Sequence, residues 1–219
     1  MYEGLKIFAV GDIHGCLESL EALLEILPIN WGKDLLIFLG DYIDRGENPR
    51  GVVEKIITLK KKYPEHVITL KGNHELMFEW FLEGKNVELF FYNGGEVTIS
   101  QYYNSEKRMV ELPLEHQIFF QELRLFFECE DYLFVHAGIN PYKSLKDQTE
   151  EDFLWIRGLF YESKKVLPKT VVFGHTPFPT PFLGPDRIGI DTGCVYGGFL
   201  TAVMLPDIKF FQVKCKSRR

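Results

Sequence analysis

The fold of this chain is decided by residues 5–15, which read LKIFAVGDIHG. The apolar run at residues 5–10 stops at a Gly-Asp turn, and His14 follows Asp12 by two positions. A short apolar run that ends in a turn is typical of a buried strand. Side chains two residues apart in an extended segment point to the same side, so Asp12 and His14 are placed to bind one ion together.

The same pattern, an apolar run followed by a glycine-containing polar loop, recurs four times along the chain. In open α/β sheets, ligands bind in the crevice beyond the carboxyl ends of the strands. We therefore expect the five loops to meet at one site. The later loops are GDYIDRG at residues 40–46, GNHE at 72–75, HAG at 136–138 and GHT at 174–176.

Between the strands, the apolar residues change to helical spacing, which indicates an α/β arrangement. Asn48 followed by Pro49 predicts a capped helix start, with residues 52, 53, 56 and 57 facing the core. Another helix is predicted at residues 113–128. Strands are predicted at residues 5–10, 35–39, 67–70, 132–135, 170–173, 188–190, 199–205 and 208–213, the last two as a hairpin.

The chain has 219 residues, of which 46% are hydrophobic and 26% charged, as is typical of a globular protein. No repeat or low-complexity linker interrupts it, so we predict a single domain over residues 1–219. A formal net charge of −6 disfavours a nucleic-acid partner. No apolar run reaches about 18 residues, so no membrane partner is expected. The basic residues 214–219 are interpreted as a solvated tail.

Four cysteines are widely spaced and form no C-x-x-C pair. That spacing predicts neither a disulfide framework nor a zinc knuckle. The N-terminal apolar run is too short for the core and cleavage site of a signal peptide. We therefore expect the protein in the reducing cytoplasm.

The polar residues of the loops indicate metal chemistry. Oxygen and imidazole donors without thiolates favour Mn, Fe or Zn over calcium or copper. A single buried histidine is more often a hydrogen-bonded structural group than a ligand, and His66 and His116 are interpreted in that way because no glycine turn adjoins them. Two other catalytic schemes fit the sequence badly. A cysteine phosphatase needs a cysteine followed after five residues by arginine, and a phosphate loop needs G-x-x-x-x-G-K; neither pattern occurs.

In their order along the chain, the loops GDIHG, GDYIDRG, GNHE, HAG and GHT resemble the signature series of the PPP-type phosphoprotein phosphatases. These enzymes belong to the calcineurin-like metallophosphoesterases. The DRG of the second loop narrows the resemblance to these phosphatases, including the bacterial serine/threonine phosphatases, and to their diadenosine-tetraphosphatase relatives. The resemblance implies an α/β fold, a four-layer α/β/β/α sandwich of two mixed sheets.

The resemblance also implies two divalent metal ions, with Mn expected and Fe or Zn as alternatives. Arg45 resembles the arginine that holds the phosphoryl oxygens, His74 the residue that protonates the leaving group, and Asp44 the carboxylate that orients it. Arg157 is the candidate for a second phosphate-binding arginine, and the alternative is an arginine of the general surface. The implied metal ligands are Asp12, His14 and Asp41 for one ion and Asp41, Asn73, His136 and His175 for the other, with Asn73 also at the substrate.

The leading functional hypothesis is a protein serine/threonine phosphatase, which hydrolyses the phosphomonoester of a phosphoprotein or phosphopeptide. The alternative is symmetrical hydrolysis of a dinucleoside tetraphosphate, by a diadenosine-tetraphosphatase. Enzymes of that kind tend to be longer, so the compact chain favours the phosphatase. A non-catalytic scaffold on the same fold is a third hypothesis, which the complete set of implied ligands disfavours. The oligomeric state is left open.

Two further segments are interpreted as parts of the site. Residues 83–130 are expected to face the substrate. The loop DTGCVYGG at residues 191–198 is interpreted as a turn-rich edge of the site. Tyr196 in that loop either borders the substrate or packs against the protein.

Overall fold

The computed structural model describes residues 5–215 and contains two mixed sheets and a small two-stranded ladder. The strands are β1 (Ile7–Val10), β2 (Leu35–Phe38), β3 (Val67–Thr69), β4 (Tyr103–Asn104), β5 (Met109–Val110), β6 (Phe126–Cys129), β7 (Tyr132–Val135), β8 (Thr170–Phe173), β9 (Phe182–Leu183), β10 (Arg187–Gly189), β11 (Asp191–Thr192), β12 (Phe199–Leu205) and β13 (Lys209–Lys214). The helices are α1 (Leu17–Ile26), α2 (Pro49–Lys62), α3 (Asn73–Leu82), α4 (Val87–Tyr92), α5 (Glu96–Tyr102), α6 (Leu114–Gln121), α7 (Glu150–Trp155) and α8 (Gly158–Tyr161).

The first sheet has the strand order β11-β12-β1-β2-β3, and β13 also pairs with β12. Strands β1, β2 and β3 are parallel, whereas β12 is antiparallel to β1. The second sheet has the order β6-β7-β8-β10-β9, with parallel β7, β8 and β10 between antiparallel β6 and β9. Because parallel neighbours end at the same edge of a sheet, the loops after β1, β2 and β3 lie side by side.

Alternate residues of each strand face opposite sides, and this alternation builds four layers. In β1, Ile7 and Ala9 belong to a buried cluster that also contains Val172 of β8, so this cluster lies between the two sheets. Phe8 belongs to a second cluster, with residues of α1 and α2. Phe173 belongs to a third cluster, with residues of α7 and α8. The predicted α/β/β/α sandwich of two mixed sheets is confirmed.

Helix α2 begins as the sequence predicts. The side-chain oxygen of Asn48 accepts a hydrogen bond from the N–H of Gly51 at 2.9 Å. Pro49 occupies the first helical position, where the missing N–H would have had no partner in the helix. The residues predicted to face the core are all buried, namely Val52, Val53, Ile56 and Ile57.

The helix predicted at residues 113–128 is wrong in its second half. Helix α6 ends at Gln121, and Phe126 begins β6, which pairs antiparallel with β7 so that Phe126 lies opposite Val135. The apolar residues of this stretch suit either element. Pairing with β7 gives the backbone N–H and C=O groups their partners, and this tertiary contact overrides the local pattern.

The expectation of no disulfide is also wrong. Cys194 and Cys215 are disulfide-bonded, with their Cα atoms 5.2 Å apart. The hairpin of β12 and β13 returns the chain to this point, where the N–H of Cys215 donates to the carbonyl of Gly198 at 3.0 Å. The two thiols meet through strand pairing, which the spacing of cysteines along the sequence does not reveal.

No helix within residues 5–215 has both the length and the apolar character of a membrane span. Of the solvated tail predicted at residues 214–219, the part from residue 216 onward lies outside the described residues.

Replacing Asn48 with alanine is expected to lower the free energy of unfolding by about 1 kcal/mol, because α2 loses its side-chain cap. Asn48→Asp keeps an acceptor oxygen at the same place and is expected to keep the stability. Urea denaturation followed by circular dichroism measures both variants. If Asn48→Ala were as stable as the wild type, the cap would contribute nothing to the fold.

Candidate active site

The loops that follow β1, β2, β3, β7 and β8 meet beyond the ends of these strands. Each loop brings one or two of the metal ligands implied by the sequence, and all six of these residues are at most 5% exposed. The six are Asp12, His14, Asp41, Asn73, His136 and His175.

Two groups of donor atoms are compact enough to hold a metal ion each. One consists of His14, Asp41 and His74, and the other of Asp41, His136 and His175; within each group the donor atoms lie within 4.8 Å of one another. Oδ2 of Asp41 is 3.3 Å from Nε2 of His14, and Oδ1 is 3.4 Å from Nε2 of His136. A single carboxylate therefore faces both groups, as a bridging ligand must.

Asn73 and Asp12 lie beside these groups. Oδ1 of Asn73 is 2.9 Å from Nε2 of His136 and 2.9 Å from Nδ1 of His175. His74 stands beside His14 and Asp41 in the first group, and Asp12 is in neither group. The carboxylate of Asp12 accepts from the backbone N–H of His175, at 3.0 and 3.1 Å, and keeps lone pairs for an ion.

The histidines are held as metal-binding histidines usually are. Nδ1 of His14 lies 2.9 Å from the carbonyl of Ile43, and Nδ1 of His136 lies 3.0 Å from the carbonyl of Leu39. These contacts assign the proton to Nδ1 and leave Nε2 a lone pair for a cation. Nε2 of His175 is buried and has no hydrogen-bond partner. Burial lowers the pKa of all three imidazoles and keeps them in the neutral form that binds metal.

Buried carboxylates are crowded around the same point. Burial, together with the negative charges of Asp191 and Asp41, raises the pKa of Asp12 well above its usual range. Burial also raises the pKa of Asp191 to about 6. Burial would raise the pKa of Asp41 too, but His136 and the other nearby imidazoles outweigh it and hold that pKa low. Cations would relieve the repulsion among these groups, so the donor set fits two divalent metal ions.

Asp191 is a residue of this site that the sequence analysis missed. It is 7% exposed, and Oδ1 accepts from the N–H of Gly193 at 2.9 Å. The signal was present in the sequence, because the apolar run at residues 188–190 ends at Asp191 as the other strands end at theirs. Its pattern in the sequence predicts only a turn-rich loop.

His74 and Asp44 form the pair that the sequence predicts. Nδ1 of His74 is 2.6 Å from Oδ2 of Asp44, which is fully buried. Thr98 of α5 donates its hydroxyl to Oδ1 of Asp44 at 2.6 Å and accepts from the N–H of Asp44 at 3.0 Å. Thr98 is a second residue that the sequence did not reveal, because α5 reaches the site only through the fold.

The two arginines lie on opposite sides of the metal-binding groups. Nη1 of Arg45 is 2.8 Å from Nε2 of His14, and its guanidinium lies over the ring of Tyr196, 5.6 Å from the centroid. Nη1 of Arg157 is 3.3 Å from the carbonyl of His175 and 3.4 Å from the hydroxyl of Thr176. Arg157 is thus exposed but anchored to a loop of the site.

Glu75 is a third residue whose role the sequence did not reveal. Its side chain is completely buried, and burial raises its pKa to about 8. Oε2 accepts from the N–H groups of Asp41 and Gly72, and Oε1 accepts from the N–H of Tyr42, each at 2.9 Å. The loop after β2 and the start of α3 are therefore fixed to one carboxylate.

The site backbone is strained in several places. Asp41 has a φ of 53° and His175 a φ of 62°, values that residues other than glycine seldom adopt. Gly40, with a φ of 107°, has no room for a side chain, since a Cβ there would lie 2.5 Å from the nitrogen of Gly72. Such strain persists only where the surrounding contacts over-determine the conformation, and it is common at functional sites.

The two histidines interpreted as structural have partners of their own. Nδ1 of His116 lies 2.7 Å from the hydroxyl of Tyr102, and Nδ1 of His66 lies 3.0 Å from the carbonyl of Asp34. Neither belongs to the two groups of donor atoms.

Comparison with solved structures shows the fold. A crystal structure provisionally described as a diadenosine tetraphosphatase is similar with a TM-score of 0.79, at 24% identity, over 98% of this chain and 95% of that one. A serine/threonine phosphatase from Saccharomyces cerevisiae, with similarity to human phosphatase PP5, has a TM-score of 0.69 at 16% identity, over 98% of this chain and 81% of that one.

Comparison with curated proteins gives relatives of nearly the same length. A protein from Anoxybacillus flavithermus named bis(5'-nucleosyl)-tetraphosphatase PrpE (asymmetrical) is 27% identical over 93% of this chain and 92% of its own. A protein of the same name from Bacillus anthracis is 29% identical over 95% of this chain and 94% of its own. The sequence model of the calcineurin-like phosphoesterases matches residues 5–198, which is most of the chain. This chain therefore belongs to the calcineurin-like phosphoesterase family.

Proposed function

We propose that this metallophosphoesterase hydrolyses dinucleoside tetraphosphates. The observation that carries the proposal is the similarity, over nearly the whole chain, to proteins named bis(5'-nucleosyl)-tetraphosphatase. From the sequence alone, a protein phosphatase is the leading hypothesis, because tetraphosphatases tend to be longer. That reason is wrong for these relatives, since the matched region covers 92% and 94% of their length.

The position of the cut is part of the proposal. The sequence alternative was a symmetrical cut, which gives two nucleoside diphosphates. The relatives carry the word asymmetrical in their names. We therefore favour an asymmetrical cut, which gives one nucleoside monophosphate and one nucleoside triphosphate.

We assign the donor atoms of this site to two divalent ions, with Mn²⁺ as our first choice and Fe or Zn as alternatives. Bound there, the ions would activate water at neutral pH and neutralise charge on the phosphoryl oxygens. The carboxylate of Asp41 faces both proposed ion positions. Oδ1 of Asn73 lies near both His136 and His175. The full assignment is Asp12, His14 and Asp41 on one side and Asp41, Asn73, His136 and His175 on the other.

The arginines bind and orient the substrate. A guanidinium presents paired N–H groups that match two phosphate oxygens, and it keeps its charge at any working pH. Arg45 lies against His14 on one side of the centre, and Arg157 against the carbonyl of His175 on the other. A polyphosphate carries charge on every phosphate, so two separated arginines suit a chain of phosphates.

His74 and Asp44 bear on a second candidate, the protein serine/threonine phosphatase. Asp44 holds Nδ1 of His74 at 2.6 Å, which directs Nε2 toward the centre, 4.0 Å from Oδ2 of Asp41. A histidine in this position protonates a departing oxygen. The alkoxide of a serine needs that proton, whereas the phosphate oxygen released from a tetraphosphate is a weak base. The pair is the observation that favours a phosphoprotein or phosphopeptide substrate.

Three expectations from the sequence concern the location, domain organisation and partners of the enzyme. A cytoplasmic location, a single domain over residues 1–219 and the absence of a nucleic-acid partner remain predictions. The disulfide between Cys194 and Cys215 bears on the first, because stable disulfides are rare in a reducing cytoplasm.

The substrate class is tested by offering the Mn²⁺-loaded enzyme a dinucleoside tetraphosphate and a phosphoserine peptide at equal concentrations. We expect a kcat/KM at least about tenfold higher for the tetraphosphate, since both arginines and a nucleoside are then engaged. Chromatography of the products is expected to show nucleoside monophosphate and triphosphate in equal amounts. Faster hydrolysis of the peptide would replace the proposal by the second candidate, and nucleoside diphosphate alone would establish the symmetrical cut.

The role of His74 is tested with leaving groups of different basicity. His74→Asn is expected to slow hydrolysis of a phosphoserine peptide by about 10²–10⁴-fold, because the alkoxide then leaves without a proton. Hydrolysis of p-nitrophenyl phosphate and of the tetraphosphate is expected to change far less, since their leaving groups are weak bases. Asp44→Asn is expected to show the same selectivity in weaker form.

His66→Asn is the matched control, because His66 lies outside the groups of donor atoms. Kinetics on all three substrates and metal content by mass spectrometry provide the readouts. An equal loss on every substrate, with metal retained, would rule out proton donation by His74.

A further inference from the structure

A cavity of about 430 Å³ adjoins the active site on the side of Arg45. Its volume is within the range of roughly 300–1,000 Å³ that is usual for small-molecule sites. The walls come from three segments: the start of α1, the loop that leads into α2, and the loop after β11. The residues that matter here are Gly15, Leu17, Gly46, Glu47, Asn48 and Val195.

Each wall of the cavity contains a residue that is adjacent in sequence to a residue of the active site. Gly15 follows His14, Gly46 follows Arg45, and Val195 precedes Tyr196, whose ring faces the guanidinium of Arg45. The two glycine loops are also packed together, since the N–H of Gly15 donates to the carbonyl of Tyr42 and the N–H of Asn48 donates to the carbonyl of Gly15. The cavity is therefore built on the same loops as the active site.

The charge of the cavity differs from that of the active site. Of the described residues that line it, none is a lysine or an arginine, and Glu18 and Glu47 each add a carboxylate. A phosphate group would be repelled here and attracted by Arg45 beyond the rim. Leu17 and Val195 supply apolar surface, and Asn48 supplies a polar group. These features suit an uncharged group with a flat apolar body and hydroxyls.

From these features we propose that the cavity binds one nucleoside of the dinucleoside tetraphosphate. The base lies against Leu17 and Val195, and the ribose hydroxyls donate to the carboxylate of Glu47. This assignment rests on the proposed function. Whichever anhydride of a tetraphosphate is cut, one nucleoside lies within one phosphate of the phosphorus that is attacked, so a nucleoside site must adjoin the centre.

The wall that carries Val195 is fixed in place. Its neighbour Cys194 is tied by the disulfide to Cys215 at the end of β13. Gly193 and Gly197, on either side of the turn, adopt φ values of 70° and 83°, which glycine adopts without strain. A preformed wall lowers the cost of ordering the loop when the ligand binds.

The test changes Val195 to glutamine, which extends into the cavity without adding charge. KM for the dinucleoside tetraphosphate is expected to rise about tenfold, as is usual when a fitted apolar group is displaced. KM and kcat for p-nitrophenyl phosphate, which has no nucleoside, are expected to stay at the wild-type values and to show that the variant is folded. Val166→Gln is the matched control, because Val166 is 81% exposed and lies outside the cavity.

A second variant, Glu47→Gln, is expected to raise KM for the tetraphosphate by a few-fold, because the amide oxygen still accepts a hydrogen bond but lacks the charge that strengthens it. The three failures are distinguishable. Wild-type enzyme that leaves the tetraphosphate intact overturns both the function and the cavity assignment. Hydrolysis of the tetraphosphate with an unchanged KM in Val195→Gln overturns the cavity assignment alone. So does an equal rise of KM for both substrates, which would place the effect at Arg45.

Discussion

One buried carboxylate, that of Glu75, holds the catalytic end of this molecule together. It accepts hydrogen bonds from the N–H groups of Asp41, Tyr42 and Gly72, each at 2.9 Å. Without it, three buried donors would lack partners, and each such donor costs about 1–3 kcal/mol. Asp41 keeps its left-handed φ of 53° because the backbone on both sides of it is fixed in this way. The carboxylate that faces both groups of donor atoms is thus positioned by another carboxylate.

The same arrangement connects the two sheets. His14 and Asp41 come from loops of the first sheet, whereas His136 and His175 come from loops of the second. The apolar cluster between the sheets sets their separation, and Asp41 spans the gap with 3.3 Å and 3.4 Å contacts to His14 and His136. The packing of the core therefore determines the geometry of the centre. The cavity beside Arg45 is formed by two of the same loops.

The sequence predicted what is local and missed what depends on the fold. The strand end at Gly40-Asp41 and the helix cap at Asn48 each depend on a few adjacent residues, so the sequence predicts both. Glu75 and Thr98 act on residues 34 and 54 positions away, and no local pattern indicates such contacts. The predictions for the two cysteines and for residues 126–129 are wrong for the same reason. The disulfide and strand β6 both arise from the pairing of strands. The choice between two substrates could not be settled, since both use the same loops.

The central claim, that Asp41 lies between two metal positions, is tested most directly by crystallography with Mn²⁺. Anomalous diffraction above the manganese absorption edge locates the ions independently of any assumption about the ligands. We expect two peaks of similar height, about 3.5–4 Å apart, one on each side of the Asp41 carboxylate. A single peak, or two peaks that do not share Asp41, would contradict the account.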